Sequence, residues 1–293
     1  MFGSMVGKFL KWGAVALGVV AVAALGFVGW VYAASEAHLR SFETPPAFAA
    51  EIPSDAASLA RGEHLVATRG CGGCHGDQLQ GQPMWGMVVT PNLAAYAREQ
   101  DVATFERALR HGIDHSGRGM YSMPSFSFMN MHDEDVAALY GFLRSAPVTE
   151  GPAPSTGMPF ALRLVIARGE DDVMPEWIKT APLLEQQGNA SAAIARGEYV
   201  AMTTCNECHG FSLRADVPWE SDGRSPDLIA VVAGYEEADF RRLMREGVPI
   251  GGRDLELMDD VARGRFVHFT DEEVGDLFAY LKFRSGRLLE EGR

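Results

Sequence analysis

Cys71-Gly72-Gly73-Cys74-His75 and Cys205-Asn206-Glu207-Cys208-His209 are two copies of one Cys-x-x-Cys-His pattern, and they use all four cysteines of the 293-residue chain. In this pattern each cysteine sulfur can form a thioether with a haem vinyl group, and the histidine can bind the iron from one face. The sequence therefore predicts two covalently bound haem c groups. The attachment residues are Cys71, Cys74, Cys205 and Cys208, and the iron ligands are His75 and His209.

Other uses of cysteine fit the pattern less well. A redox-active Cys-x-x-Cys needs no adjacent histidine, and disulfide frameworks have more varied spacing. Cys71 and Cys205 are 134 positions apart, which is far more than the spacing of ligand pairs in zinc fingers or ribbons. Haem attachment remains the interpretation that accounts for both copies.

A long uncharged stretch near the N-terminus predicts a membrane helix. Residues 13–34 give 22 positions without a charge, enough to cross a hydrocarbon core of roughly 30 Å. Lys8 and Lys11 precede the stretch and predict a cytoplasmic N-terminus. The alternative is a cleaved secretory signal ending near Val31-Tyr32-Ala33. The stretch is longer than a usual signal core, which favours a retained anchor, and both interpretations export the rest of the chain.

The formal net charge is −13, from 39 acidic and 26 basic residues. Nucleic-acid binding relies on Lys and Arg to neutralise phosphates, so we expect no nucleic-acid partner. The acidity either keeps an exported surface soluble or attracts a basic redox partner, and composition does not decide between these.

The two halves of the chain are similar beyond the cysteine motifs. Arg61-Gly62-Glu63 recurs as Arg196-Gly197-Glu198, and Pro91-Asn92-Leu93 corresponds to Pro226-Asp227-Leu228, both at an offset of 135 residues. Further matches lie between the residue pairs Trp85 and Trp219, Phe105 and Phe240, and Gly112 and Gly247. A repeat of this length predicts two similar units in tandem.

Each unit reads as a small helical domain. We predict helices at 59–68 and 194–203 leading into the motifs, second helices at 102–110 and 237–245, and last helices beginning near Asp133 and after Thr270. The predicted boundaries are 1–40 for the cytoplasmic N-terminus and anchor, 41–55 for a spacer, 56–147 for the first domain, 148–190 for an interdomain linker and 191–293 for the second domain. Proline and glycine make the linker irregular, with a short helix at 160–167.

The residue on the other face of each iron decides its chemistry, because methionine gives a six-coordinate electron-transfer centre whereas an open position admits ligands. Met123 and Met258 are 135 residues apart, and they follow their proximal histidines by 48 and 49 residues. This agreement favours them as axial ligands. Met120 remains the alternative in the first unit and His268 in the second.

Four further residues have expected roles around the haems. Pro91 and Pro226 either present a backbone carbonyl to the second ring nitrogen of His75 and His209 or only shape a loop. Trp85 and Trp219 are expected in the walls of the haem pockets.

With these motifs, the exported part resembles tandem class I cytochrome c domains. The first unit, with Arg110-His111-Gly112 and Met123-Pro124-Ser125, is most similar to the cytochrome subunits of membrane-bound periplasmic alcohol and sugar-acid dehydrogenases. The resemblance implies an all-α fold, an N-terminal transmembrane helix followed by two class I cytochrome c-like domains, and Gly62 and Gly197 where the last helix approaches closely. It places the chain in a bacterial inner membrane, single-pass, with the haem domains on the periplasmic side.

The expected function is that of a membrane-anchored dihaem cytochrome rather than an enzyme. It would carry single electrons between a dehydrogenase or quinol-oxidising complex and a soluble cytochrome or terminal oxidase. One alternative is a fixed cytochrome subunit of an oxidase, dehydrogenase or photosynthetic assembly. Another is a dihaem cytochrome c peroxidase, which the two matched methionines disfavour because peroxide needs an open iron face.

Overall fold

The computed structural model describes residues 2–86, 88–155, 157–184, 191–217 and 225–291. It confirms the predicted all-α fold, with a two-stranded antiparallel ribbon between Pro83–Met84 (β1) and Val88–Val89 (β2). The helices of the first half are α1 Phe2–Leu39, α2 Ala56–Thr68, α3 Cys71–His75, α4 Leu93–Glu99, α5 Val102–His111, α6 Ser125–Phe128, α7 Asp133–Ser145, α8 Phe160–Ala167 and α9 Met174–Thr180. Those of the second half are α10 Ala192–Met202, α11 Asn206–His209, α12 Leu228–Ala233, α13 Glu237–Glu246, α14 Leu257–Gly264, a 3₁₀ turn Phe266–His268 and α15 Asp271–Glu291.

The N-terminal helix α1 extends past the uncharged stretch to Leu39. Its segment Leu10–Leu39 is long and apolar enough to cross a membrane, a test that a signal sequence also passes. Most of this segment is exposed, but Val31, Ser35 and Leu39 are buried. These three residues are four apart, so they lie on one face of the helix. The end of α1 therefore packs against the rest of the protein.

We call residues 56–147 the N-terminal unit, and its first and last helices cross at Gly62. A Cβ atom there would lie within van der Waals distance of the Ala138 carbonyl oxygen, so only glycine permits this approach of α2 to α7. Asp55 caps α2 by accepting a hydrogen bond from Ser58 N at 3.0 Å. The buried core below the crossing includes Leu65, Leu79, Phe105, Val136 and Leu139.

Residues 191–291, the C-terminal unit, repeat this arrangement. Gly197 lies at the crossing of α10 and α15, where a Cβ atom would overlap the Asp276 carbonyl oxygen. The sequence pattern Thr270-x-x-Glu273 predicts a capping box, and it is present: Glu273 N donates to Thr270 Oγ1 at 3.1 Å, and Thr270 N donates to the Glu273 carboxylate at 2.9 Å. The core beneath includes Leu213, Ile229, Phe240, Leu277 and Tyr280.

The interdomain linker is more ordered than its composition indicated. The short helix predicted at 160–167 is α8, and α9 adds a second one that the proline content concealed. Val173 is buried in a cluster with Leu39, Leu162 and Ile166, against which Phe42 packs. The start of the 41–55 spacer is thus held against the linker.

Candidate haem-binding sites

The first Cys-x-x-Cys-His motif forms the short helix α3, which follows α2 after a left-handed Gly70. One helical turn carries Cys71, Cys74 and His75. His75 Nδ1 donates to the Pro91 carbonyl oxygen at 2.9 Å, which leaves Nε2 as the ring atom available to a metal. Burial lowers the pKa of His75, so the ring is neutral as an iron ligand must be.

Backbone hydrogen bonds fix the loop that brings Pro91 to this histidine. Gly81 N donates to the His75 carbonyl at 2.7 Å, and Leu93 N donates to the Leu79 carbonyl at 2.9 Å. Leu79 has a left-handed backbone with a φ of 59°, which is rare for a leucine and is held here by these contacts. The loop is therefore built to position the imidazole.

The second motif repeats this geometry almost bond for bond. His209 Nδ1 donates to the Pro226 carbonyl at 3.0 Å, and Ala215 N donates to the His209 carbonyl at 3.0 Å. Leu228 N donates to the Leu213 carbonyl at 2.9 Å, and Leu213 has a φ of 62°. Some residue types differ between the two loops, as Gly81 and Ala215 do, but each residue occupies the position in its repeat that its counterpart occupies in the other.

The structure places the two candidate methionine ligands on the cores of their units. Met123 is half-buried and packs against the N-terminal core. Met258 is half-buried on the C-terminal core, in α14, which precedes the last helix α15. Of the alternatives, Met120 is half-buried and His268 is exposed.

Of the two tryptophans expected in the pocket walls, one lies among the described residues. Trp85 is 62% exposed, in the turn that follows β1, with a φ of 51°. Trp219 lies outside the described residues. Their place in the pocket walls stays a prediction.

The cysteine thiols differ from those of redox-active pairs. Burial raises the pKa of Cys71 to about 11 and that of Cys205 to about 12. Redox Cys-x-x-Cys sites work through a thiol whose pKa is lowered, because the thiolate is the nucleophile. The raised pKa values of Cys71 and Cys205 do not fit that redox role.

Comparison with protein families agrees with this geometry over the first unit. Residues 59–147 match the family model described as cytochrome c. This span contains the first motif, its proline loop and Met123. Residues 59–147 form a cytochrome c domain.

Similar proteins include cytochrome subunits of dehydrogenases. The fructose dehydrogenase cytochrome subunit of Gluconobacter japonicus is 22% identical over 256 residues, which are 77% of this chain and 52% of that protein. The gluconate 2-dehydrogenase cytochrome c subunit of Pantoea cypripedii is 24% identical over 279 residues, 80% of this chain and 61% of that protein. A nicotinate dehydrogenase subunit of Pseudomonas putida is 30% identical over 219 residues, 66% of this chain and 17% of that protein.

The chain thus spans little more than half the length of the fructose and gluconate dehydrogenase subunits that it matches. Its residues 59–147 belong to the cytochrome c family, which binds haem c covalently, and the chain is related to cytochrome subunits of dehydrogenases.

The cytochrome c domain and the C-terminal unit dock through reciprocal contacts that no local pattern predicted. His64 Nε2 lies 2.9 Å from both carboxylate oxygens of Glu273. In the other direction, the Tyr199 hydroxyl donates a hydrogen bond to the Asp135 carboxylate. Tyr199 corresponds to His64 in the repeat. Asp135 corresponds to Glu273, because each is the third residue of the last helix of its unit. The interface is therefore a pseudo-two-fold one, in which equivalent positions exchange equivalent contacts.

Arg265 joins the two haem motifs across this interface. Its Nε donates to the Thr68 carbonyl at 2.8 Å, three residues before Cys71, and its Nη1 lies 3.4 Å from the Glu207 carboxylate inside the second motif. It packs against Gly70, where a Cβ atom would lie 2.9 Å from its Nε. One guanidinium thus contacts both attachment segments.

Arg69 is a second cation at this junction and is only 2% exposed. It donates to Thr68 Oγ1 at 3.1 Å and lies over the Tyr199 ring at 5.6 Å. Burial lowers its pKa, while Nε and Nη2 have no hydrogen-bond partner among the described residues. Arg69 and Arg265 are therefore two cations at the junction of the attachment segments, where the carboxylates of Asp135, Glu207 and Glu273 also lie.

Proposed function

We propose that the chain is a membrane-anchored dihaem c-type cytochrome. It carries single electrons between a dehydrogenase or quinol-oxidising complex and a soluble cytochrome or terminal oxidase. The assignment of the second haem is supported by a hydrogen bond that recurs in both units, from His75 to the Pro91 carbonyl and from His209 to the Pro226 carbonyl. A unit that had lost haem would have no need to keep this histidine-positioning loop.

The proposed iron ligands are His75 with Met123 and His209 with Met258. Haem bound in this way takes up and releases one electron without opening a site for other chemistry. The half-buried positions of both methionines on the cores support the assignment, and the exposure of His268 disfavours it as a ligand.

The ligand assignment is tested by changing Met123 and Met258 to alanine, one at a time. Each variant should lose the methionine-to-iron charge-transfer absorption of one oxidised haem and keep that of the other. Met120→Ala is the matched control and should keep both bands. Loss of a band in Met120→Ala, with retention in Met123→Ala, would reassign the first ligand.

The docking of the two units supports electron exchange within the chain. Arg265 contacts the segment before Cys71 and the second motif at once, so the two attachment edges lie at one interface. An electron accepted by one unit therefore need not leave the chain to reach the other. We propose that both haems act in series between donor and acceptor.

The packing of α1 supports a retained anchor over a cleaved signal. The small-residue site at 31–33 lies inside α1, and Val31 is completely buried. Gly119 N donates to the Leu39 carbonyl at 2.7 Å, which ties a loop of the cytochrome c domain to the end of the same helix. Cleavage at 31–33 would remove Val31 from this packed region.

The relatives support a dehydrogenase as the electron donor. They are cytochrome subunits of fructose, gluconate and alcohol dehydrogenases, and we propose that this chain serves a dehydrogenase in the same way, with its haem units on the periplasmic side. Gentle detergent extraction, followed by sizing and identification of co-purifying chains, tests this. Recovery of a dehydrogenase flavoprotein or quinoprotein supports it, and recovery with an oxidase alone contradicts it.

A further inference from the structure

Helix α8 runs alongside the end of α1, in the same direction. The Phe160 ring lies 6.5 Å from that of Phe27 and 6.2 Å from that of Tyr32. Further along, Ile166 packs in the cluster that contains Leu39. The first turn of α8 is therefore level with the apolar stretch of α1, and its last turn is level with the end of α1.

The depth of this contact follows from helix geometry. Phe27 precedes Ala34, the last residue of the uncharged stretch, by seven residues, which is about 10 Å at about 1.5 Å per residue. Trp30 and Tyr32 are aromatic residues of the kind found at membrane interfaces. If α1 crosses a bilayer, Phe160 lies at the level of the headgroup and acyl boundary.

The side chains of α8 suit that location. Phe160 is 38% exposed and Ala161 is also exposed, so the first turn offers an apolar surface that the protein does not cover. The charged residue within α8, Arg163, points into the protein. It donates to Ser35 Oγ at 3.0 Å and lies over the Tyr32 ring at 4.9 Å. The exposed part of α8 can therefore enter lipid without desolvating a charge.

We propose that the first turn of α8 is a second membrane contact, lying in the bilayer interface beside α1. This inference rests on the proposed anchoring role of α1 and deepens it. Its partner is the lipid surface itself, because the apolar turn continues the lipid-facing surface of the anchor. Two contacts with the bilayer restrict rotation of the haem units about α1, and they fix which face of the cytochrome c domain is turned to the membrane.

Thiol accessibility tests the proposal on the full chain. All four native cysteines are consumed by the two haem attachments, so an introduced cysteine is the free thiol. Val22→Cys, Ala161→Cys and Leu183→Cys would each be prepared in phosphatidylcholine and phosphatidylglycerol vesicles, then treated with a water-soluble maleimide before and after dissolution in detergent. Val22 and Leu183 are 71% and 74% exposed in the protein, and Ala161 is exposed, so the protein shields none of the three.

The Leu183→Cys variant should react equally in vesicles and after dissolution, and the Val22→Cys variant should react only after dissolution. The Ala161→Cys variant should react at least about tenfold more slowly in vesicles, because a thiolate does not form readily in apolar surroundings. If Ala161→Cys reacts as fast as Leu183→Cys while Val22→Cys stays protected, α1 is an anchor and α8 is not a membrane contact. If Val22→Cys also reacts in vesicles, the anchor itself is refuted, and the role of α8 with it.

Discussion

Replacing Glu273 by glutamine should weaken the docking of the C-terminal unit on the cytochrome c domain. The Glu273 carboxylate accepts from His64 Nε2 at 2.9 Å, lies 3.5 Å from Arg61 Nη1 and accepts from Thr270 N. Burial acts to raise the pKa of Glu273, but these hydrogen bonds and the positive charges of His64 and Arg69 offset it and lower the pKa from 4.5 to about 2.

The magnitude and sign follow from this pKa shift. The lowering of the Glu273 pKa from 4.5 to about 2 corresponds to about 3 kcal/mol, at about 1.36 kcal/mol for each factor of ten in the proton-binding constant. Because the folded pKa of Glu273 is lowered, this stabilisation is fully present above pH 4.5 and is lost as the pH falls toward 2. Glutamine keeps the side-chain size and the capping-box geometry, so charge is the main change.

The assay is denaturant unfolding of the full chain in detergent, followed through haem absorbance at pH 7 and at acid pH. Glu272→Gln is the matched control: Glu272 is the preceding residue, its side chain is 72% exposed, and its pair with Arg196 at 3.1 Å is a surface ion pair worth at most about 1 kcal/mol. The free energy of unfolding of Glu273→Gln should fall by about 3 kcal/mol at pH 7, with a smaller loss in acid. Equal effects of the two variants, or a loss that does not shrink in acid, would refute the reasoning.

Two other substitutions test the packing and the charge at the haem junction. In thermal unfolding, Gly197→Ala should destabilise the C-terminal unit by roughly 1–3 kcal/mol, because the added Cβ atom overlaps the Asp276 carbonyl. The control Gly286→Ala has open space around it and should be neutral or stabilising by up to about 1 kcal/mol. Arg265→Gln should lower the midpoint potentials of both haems in a potentiometric titration, because a nearby positive charge favours the reduced iron. Arg263→Gln, an exposed residue that pairs with Asp260, should leave them unchanged; equal shifts in the two arginine variants would contradict the role given to Arg265.

Features set by local pattern were predictable from the sequence. The capping box at Thr270 depends on a local pattern, and the structure has it. The approach of helices at Gly62 and Gly197 was implied by the resemblance to class I cytochrome c domains, and the structure has it too. The all-α class followed from helical periodicity and from the motifs.

Features that depend on distant residues were not predictable in the same way. His64 and Glu273 are 209 positions apart, and nothing in the residues around either one indicates that they meet. Arg265 lies between α14 and the 3₁₀ turn and had no motif to mark it, yet it contacts both attachment segments.

The linker shows how composition misleads. Proline and glycine in the linker predicted irregular chain, but Pro175 lies in the first turn of α9, where its missing N–H costs nothing. One signal was available for the contact with α1: Phe160 to Ala167 is strongly apolar for a linker, and such a helix needs a surface to cover.

The number of haems per chain tests the account most directly, because the family match covers the first unit and the second haem rests on the repeated geometry. The full chain should carry two haems by pyridine haemochrome absorbance measured against polypeptide concentration, and the double variant Cys205→Ala with Cys208→Ala should carry one. A single haem in the unaltered chain, or no loss in the double variant, would contradict the dihaem assignment.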